Sequence, residues 1–296
     1  MIEEIDAKTI ITKKKDTFWF GADYNMNLYK GCCHGCIYCD SRSDCYQNGD
    51  FDQVRAKKDA LMIVRNELRR KVRSGVIATG AMSDPYNPFE RELELTRHAL
   101  ELISAYGFGI AVATKSDLIV RDMDLFQEIK EHSPVIAKIT ITSADDDLAK
   151  RVEPRAPLSS QRFEAIRKLS KQGIFSGVLL MPVLPFLEDK EDNIIEIVQK
   201  TYDNGGRFIF AMFGMTLRDG QREYYYQKLD EICPGLKERY IRRYGNAYEC
   251  RSPQWKKLWN VFCEQCEKYG ILYNMKEIIR AYKTGYGDSQ LSFLKD

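Results

Sequence analysis

From Val76 to Met212 the sequence alternates short apolar runs with amphipathic stretches, and few folds accept that rhythm. Val76–Thr79, Phe108–Thr114, Val135–Thr142, Gly177–Met181 and Arg207–Met212 read as strands. Between them Glu94–Tyr106, Asp122–Glu131, Ser159–Gln172 and Asp192–Asn204 carry helical periodicity. A first strand is expected over 22–30, and Phe51 to Val72 reads as a helix. Val54, Leu61, Val64, Leu68 and Val72 share one face of it, although Lys57 and Lys58 interrupt the stripe near its start. Six such strand–helix units demand an α/β fold with a parallel sheet, right-handed crossovers and the helices outside. In parallel barrels and open sheets the chemistry sits at the carboxyl ends of the strands.

The first strand runs into Tyr29-Lys-Gly-Cys-Cys-His-Gly-Cys-Ile-Tyr-Cys-Asp40. Cys32, Cys36 and Cys39 stand in the spacing C-x3-C-x2-C, which is the signature spacing of radical S-adenosylmethionine (SAM) enzymes. Three thiolates can hold three irons of a [4Fe–4S] cube that normally takes four, leaving one iron open to another ligand. A structural zinc site is the rival, but it wants four ligands in paired C-x2-C units. Gly31 and Gly35 permit the tight turns that such a loop needs.

The later strand ends are polar. The second leads into Thr79-Gly-Ala-Met-Ser-Asp-Pro-Tyr-Asn-Pro-Phe-Glu90, so Ser83, Asp84 and Tyr86 face the active side. Thr114-Lys115-Ser116 ends the third strand, and Thr140-Ile-Thr-Ser143 the fourth, before Arg151-Val-Glu-Pro-Arg-Ala-Pro157. Met181-Pro182 ends the fifth. Glu153 and Arg155 are open to two readings, a mutual ion pair or a cofactor contact, while Arg151 and Arg162 read as surface residues.

Taken in order, the triad, Ser-Asp-Pro-Tyr-Asn-Pro-Phe-Glu, Ala-Thr-Lys-Ser, Arg121-Asp122, Glu-Pro-Arg-Ala-Pro and Met-Pro-Val-Leu-Pro resemble the radical SAM proteins grouped with spore photoproduct lyase. The resemblance runs from about residue 24 to 190 and is weak beyond it. It implies a partial TIM barrel, (β/α)6, with a [4Fe–4S] cluster and S-adenosylmethionine at its top. Cys32, Cys36 and Cys39 would be the metal ligands and the catalytic centre. Ser83 and Asp84 match the stretch that handles the methionine end of the cofactor, and Lys115 a lysine on its carboxylate. Thr142 or Ser143 matches a hydroxyl near the cofactor, Met181 a backbone contact to adenine, and Tyr38 an aromatic near the adenosine. The implied activity is reductive cleavage of SAM to methionine and a 5′-deoxyadenosyl radical that abstracts hydrogen from a substrate. An external electron donor such as flavodoxin or ferredoxin is implied as well.

Two positions depart from the lyase. Its hydrogen-donating cysteine, two residues before the serine, is replaced by Ala81, and its tyrosine after the third cluster cysteine by Asp40. The chain is therefore expected not to be that lyase. Family analogy points to a nucleic-acid substrate. The alternatives are modification of a peptide or partner protein, or a non-catalytic iron–sulfur protein that binds nucleic acid or serves in redox.

The remaining expectations concern the ends of the chain and its surroundings. Residues 1–21 read as a lead-in whose Phe18, Trp19 and Phe20 pack on a core of 22–213. Residues 214–296 read as a helical appendage, with helices over 219–232, 234–244, 252–269 and 275–283. Over 205–296 there are 16 lysines and arginines against 11 acidic residues, and Arg242-Arg243 could follow a phosphate backbone, although a solvated basic helix face is the commoner explanation of such a pattern. Cys233, Cys250, Cys263 and Cys266 offer too few paired spacings for a clear second metal site, and Cys45 reads as a loop thiol. An acidic amino terminus, no run of eighteen apolar residues and an odd number of cysteines, 9, fit a cytoplasmic protein without a membrane span. A net charge of +2 is too small to argue by itself for a polyanionic partner.

Overall fold

A computed structural model describes residues 2–47, 49–71 and 73–286. Six parallel strands, β1 (Tyr24–Met26), β2 (Val76–Thr79), β3 (Gly109–Thr114), β4 (Val135–Thr140), β5 (Phe175–Leu180) and β6 (Phe208–Ala211), lie side by side in chain order. Ile11–Lys13 extends this sheet antiparallel beside β1. The crossovers carry helices α1 (Ala60–Arg69), α2 (Leu95–Ala105), α3 (Met123–Lys130), α4 (Ser159–Lys171) and α5 (Glu191–Asp203). Each new strand joins the one before it, so the sheet winds in a single direction into a partial barrel.

Alternation along the strands sorts the core. Ile77, Ile110, Val112, Ala137, Ile139, Val178, Leu180 and Ile209 pack outward under the helices. Val76, Ala78, Ala111, Ile136, Leu179 and Phe208 point inward. The floor is closed from both ends of the chain. Phe20 is fully buried against Phe208 and Phe210, with ring centroids 5.8 Å away in each case. Helix α9 (Met275–Lys283) adds Met275, Ile278 and Tyr282 to the same cluster, and the Tyr282 hydroxyl donates to the Phe20 carbonyl at 2.6 Å.

Three expectations need correction. First, 51–72 is not one helix: Arg55–Lys57 is a strand between Glu3–Ile5 and Tyr29–Lys30, and only Ala60–Arg69 is helical. The lysines that interrupted the stripe belong to this small sheet and its turn, and Val72 lies outside the described residues. Second, the lead-in contributes two strands, and Phe18 is exposed while Trp19 and Phe20 pack as expected. Third, Gly214–Thr216 and Glu249–Arg251 form an antiparallel pair in the segment expected to be purely helical. Three-residue strands are too short to leave a periodicity.

The segment after Gly214 is shared between two places. Helices α6 (Gln221–Ile232) and α7 (Leu236–Tyr244) cover the cysteine loop, in a cluster with Cys36, Ile37 and Tyr38. Helix α8 (Trp255–Tyr269) instead buries Leu258, Phe262 and Cys266 in the barrel's outer core. That division also separates the appendage thiols. Cys233 and Cys250 belong to the first cluster and Cys263 and Cys266 to the second, so the four do not converge. Among the described residues no helix is long and apolar enough to cross a membrane.

Candidate functional site

The cysteine loop folds over the barrel mouth because two glycines let it. Gly31 has φ +80°, and a Cβ there would lie 2.5 Å from the Gln53 carbonyl oxygen. Gly35 has φ +74° and sits against Pro154 and Arg155. Backbone bonds from Cys32 N to Phe51 O (2.8 Å) and from Ile37 N to Val152 O (3.0 Å) pin the loop between them. Cys32, Cys36 and Cys39 then line one cavity of about 160 Å³, together with the ends of β2, β3, β4 and β5. Cys33 is absent from that wall and packs against the outer core. Burial pushes all three lining thiols up, Cys36 to about 12 despite Lys115 nearby. Three cysteines lining one cavity, on a loop that has no room for a Cβ at Gly31, suit a cluster held by three thiolates, although among the described residues no three histidine, cysteine or acidic side chains are grouped as for a single metal ion.

The cavity wall is built around Asp84. Its carboxylate accepts from Thr114 Oγ1 (2.5 Å), Lys115 N (2.8 Å) and Tyr86 N (2.9 Å), and His34 Nε2 lies 3.1 Å away. Burial would raise its pKa, but the histidine and these donors outweigh it and hold the group at about 2. Asp84 thus ties the cysteine loop, the β2 turn and the end of β3 together. Ser83 donates to the Tyr29 carbonyl at 3.0 Å. Beneath Lys115 lies a second buried charge set. Glu153 pairs with Arg162 at 2.5 Å and with Lys115 at 3.9 Å, and the Tyr38 hydroxyl donates to it. Lys115 stands 5.5 Å from the centre of the Tyr38 ring. Burial works against its charge, but Cys36 and Glu153 outweigh it and raise the pKa.

Of the residues read from the sequence, Cys32, Cys36, Cys39, Ser83, Asp84 and Lys115 share the cavity wall. Tyr38 lies buried behind it. Thr142 and Ser143 are engaged elsewhere: Thr142 donates to Glu188 at 2.8 Å, and Ser143 to the Asp145 carbonyl at 3.2 Å. Thr140, one inward position earlier, lines the cavity, as Leu179 does on β5 rather than Met181. Arg162 is the clearest correction, since it is 1% exposed rather than on the surface. Its position among Phe163, Ile166 and Leu169 on the apolar side of α4 was the available signal. Glu153 does not pair with Arg155, which bonds Asp52 at 2.7 Å, and Arg151 is exposed as expected. Glu188 was missed altogether. It is fully buried, and burial pushes its carboxyl to about 8 against the bonds from Leu184 N and Thr142. Asp40 takes Arg218 (3.1 Å), Tyr46 (3.0 Å) and Thr216 (3.1 Å), fastening the loop to the segment after Gly214. Cys45 is exposed beside Arg218 and outside the cavity wall.

The Radical SAM superfamily profile matches residues 26–200. An uncharacterised protein of Mycobacterium tuberculosis is 29% identical over 248 residues, covering 81% of this chain and 73% of that one. Another, from Methanocaldococcus jannaschii, is 34% identical over 174 residues, covering 58% and 64%. Among solved structures, spore photoproduct lyase complexed with dinucleoside spore photoproduct superposes with a TM-score of 0.66 at 16% identity, over 90% of this chain and 79% of that one. A lyase variant with bound AdoMet and the same dinucleoside gives 0.67 at 16% identity, over 90% and 78%. At such identities the likeness concerns the fold alone.

Proposed function

The chain belongs to the radical SAM superfamily, and on that premise we propose an enzyme that holds a [4Fe–4S] cluster on Cys32, Cys36 and Cys39 and cleaves S-adenosylmethionine reductively. The observation that carries this reading is the single cavity in which the three sulfurs meet Ser83, Asp84 and Lys115. When bound, the cluster would supply one electron to the cofactor's sulfonium, releasing methionine and a 5′-deoxyadenosyl radical that takes hydrogen from the substrate.

The chain's own groups have separable tasks. Lys115 is a cation for the methionine carboxylate, held over Tyr38 and balanced by Glu153. Asp84 has every strong acceptor direction occupied, so it acts by fixing the Lys115 backbone and His34. Ser83 presents the β2 turn to the cofactor's methionine end. Met181 lies just past β5 and outside the cavity wall that Leu179 lines, and its backbone would meet the adenine beyond that wall. Thr142 and Ser143 stand outside the cavity wall, bonded to Glu188 and to the Asp145 carbonyl, and their role is to fix the segment after β4.

For the substrate we favour a nucleic acid, on the shared shape with a lyase that binds a dinucleoside lesion and on the basic carboxyl-terminal segment. The reaction differs from that lyase's, because Ala81 in the cavity wall has no hydrogen to give back readily. Anaerobic reconstitution with iron and sulfide, followed by dithionite and SAM, is expected to yield 5′-deoxyadenosine. A fully loaded protein that yields none overturns the enzyme reading. Incubation with DNA carrying spore photoproduct is expected to restore no thymine, and restoration at enzymatic rates would reverse the distinction from the lyase.

A further inference from the structure

Reduction at the mouth needs an electron from outside, and a packed route leads to the surface behind the cysteine loop. Gln221, at the start of α6 and fully buried, donates to the Tyr38 carbonyl at 2.9 Å. One turn on, the Tyr225 hydroxyl donates to that of Tyr240 on α7 at 2.9 Å, with ring centroids 5.4 Å apart. Tyr240 touches Tyr244 (5.5 Å) and Phe186 (5.4 Å), both only half-buried. Cys36, Tyr38, Tyr225 and Tyr240 therefore belong to one packed cluster that runs from the sulfurs to the surface.

At that surface α7 carries three exposed arginines, Arg239, Arg242 and Arg243, at positions i, i+3 and i+4 on one side of the helix. None of the three makes an ion pair or hydrogen bond among the described residues. The Arg239 guanidinium lies 4.0 Å above the Phe186 ring. The buried carboxyl near it, Asp189, is taken by Ser252 Oγ and Phe186 N, each at 2.6 Å. Glu238 is the one acid on α7. Nearby, Lys228 is tied to Glu231 and Lys237 to Asp230.

We propose that this face of α7, with Arg239, Arg242 and Arg243 around Phe186 and Tyr244, docks an acidic one-electron carrier protein. The inference rests on the function proposed above. In the step it serves, the reduced carrier gives up one electron and is oxidised, and the centre held by the three cysteines gains it. Unpaired cations flanking aromatic surface fit such a partner. Electron-transfer encounters are small and brief, and opposite charge supplies their association rate. A nucleic acid would also meet these arginines, but it has no use for a packed path to the sulfurs.

The test compares the reconstituted protein with Arg239→Glu/Arg242→Glu/Arg243→Glu and with Arg242→Glu/Arg243→Glu, which spares the Phe186 contact. Reduced flavodoxin is the probe and dithionite the control. Reversal is expected to slow flavodoxin-driven reduction, measured as loss of visible absorbance, by about tenfold at low salt. It should also abolish chemical cross-linking to flavodoxin while leaving dithionite-driven reduction unchanged. Equal flavodoxin rates and cross-linking in variants and parent overturn the proposal. So does a gel shift with DNA that vanishes on reversal while flavodoxin still reduces the protein normally. Cross-linking reads the docking directly. Should dithionite and SAM produce no 5′-deoxyadenosine, the proposed function falls and cross-linking still decides the docking face.

Discussion

The two ends of the barrel both bury charge, but they neutralise it differently. At the mouth the buried ions Asp84 and Glu153 have partners held by other elements: Asp84 has His34, Thr114 and the Lys115 amide, and Glu153 has Arg162 and Lys115. At the floor Lys138, 1% exposed, has no carboxylate beside it among the described residues. Its ammonium stands 4.7 Å from the centre of the Phe20 ring, and burial, with Lys14 adding to it, lowers its pKa to about 7. Its partners in register, Ala113 and Gly177, are small, so the side chain has room among them. A mouth built of paired ions can receive a zwitterion without reorganising, because its charges are already placed. The floor only has to stay shut, and a lysine that sheds its proton serves there almost as well as an apolar residue.

Removing a sulfur should separate the two ends most sharply. Cys36→Ala is expected to lose nearly all reconstituted iron and all 5′-deoxyadenosine, measured by iron analysis and chromatography. The floor cluster does not involve Cys36, so its aromatic circular dichroism should persist. Next in size is the buried pair. Arg162→Met would strand Glu153 and also the Thr140 and Pro157 carbonyls, which the guanidinium takes at 3.0 and 2.9 Å. A loss of roughly 3–5 kcal/mol in urea unfolding is expected. The double variant Glu153→Gln/Arg162→Met should recover part of it, since no carboxylate is then left without its guanidinium, and the recovery is partial because Lys115 loses Glu153 as well. Equal losses in the single and double variants would mean that the carbonyl bonds, not the ion pair, matter.

The same contrast bears on what the sequence could reveal. Strands buried on both faces are plain apolar runs, so β3 is read as Phe108–Thr114 and found as Gly109–Thr114. Helix α4, read as Ser159–Gln172, is found as Ser159–Lys171. The cysteine triad was legible because its spacing is local. The wall around it was legible only in part, because it is assembled from four strand ends whose register decides which residue faces in. Thr140 rather than Thr142 lines the cavity for that reason, and Leu179 rather than Met181. Arg162 was misread because an arginine is usually solvated, and its partner Glu153 lies across the proline-containing turn before α4. The strand at Arg55–Lys57 was hidden because its partners, Glu3–Ile5 and Tyr29–Lys30, are far from it in sequence.

The smallest expected effect tests the floor, and its sign is opposite. The folded pKa of Lys138, about 7, lies below the ordinary 10.5. Below pH 7 the lysine is protonated in both states, and the folded protein bears the full penalty of an unpaired buried ammonium. Between about 7 and 10.5 the unfolded chain binds more protons than the folded one, so the stability contributed by this site rises with pH. Lys138→Met removes the titration and leaves an apolar chain of similar length. It is expected to raise the unfolding midpoint at pH 6 by roughly 5 °C, for about 2 kcal/mol, with the gain shrinking toward pH 10. A gain that does not change with pH would show that packing, not charge, distinguishes the variant. A loss at pH 6 would show that the contact with Phe20 outweighs desolvation, and that the floor, like the mouth, depends on its cation.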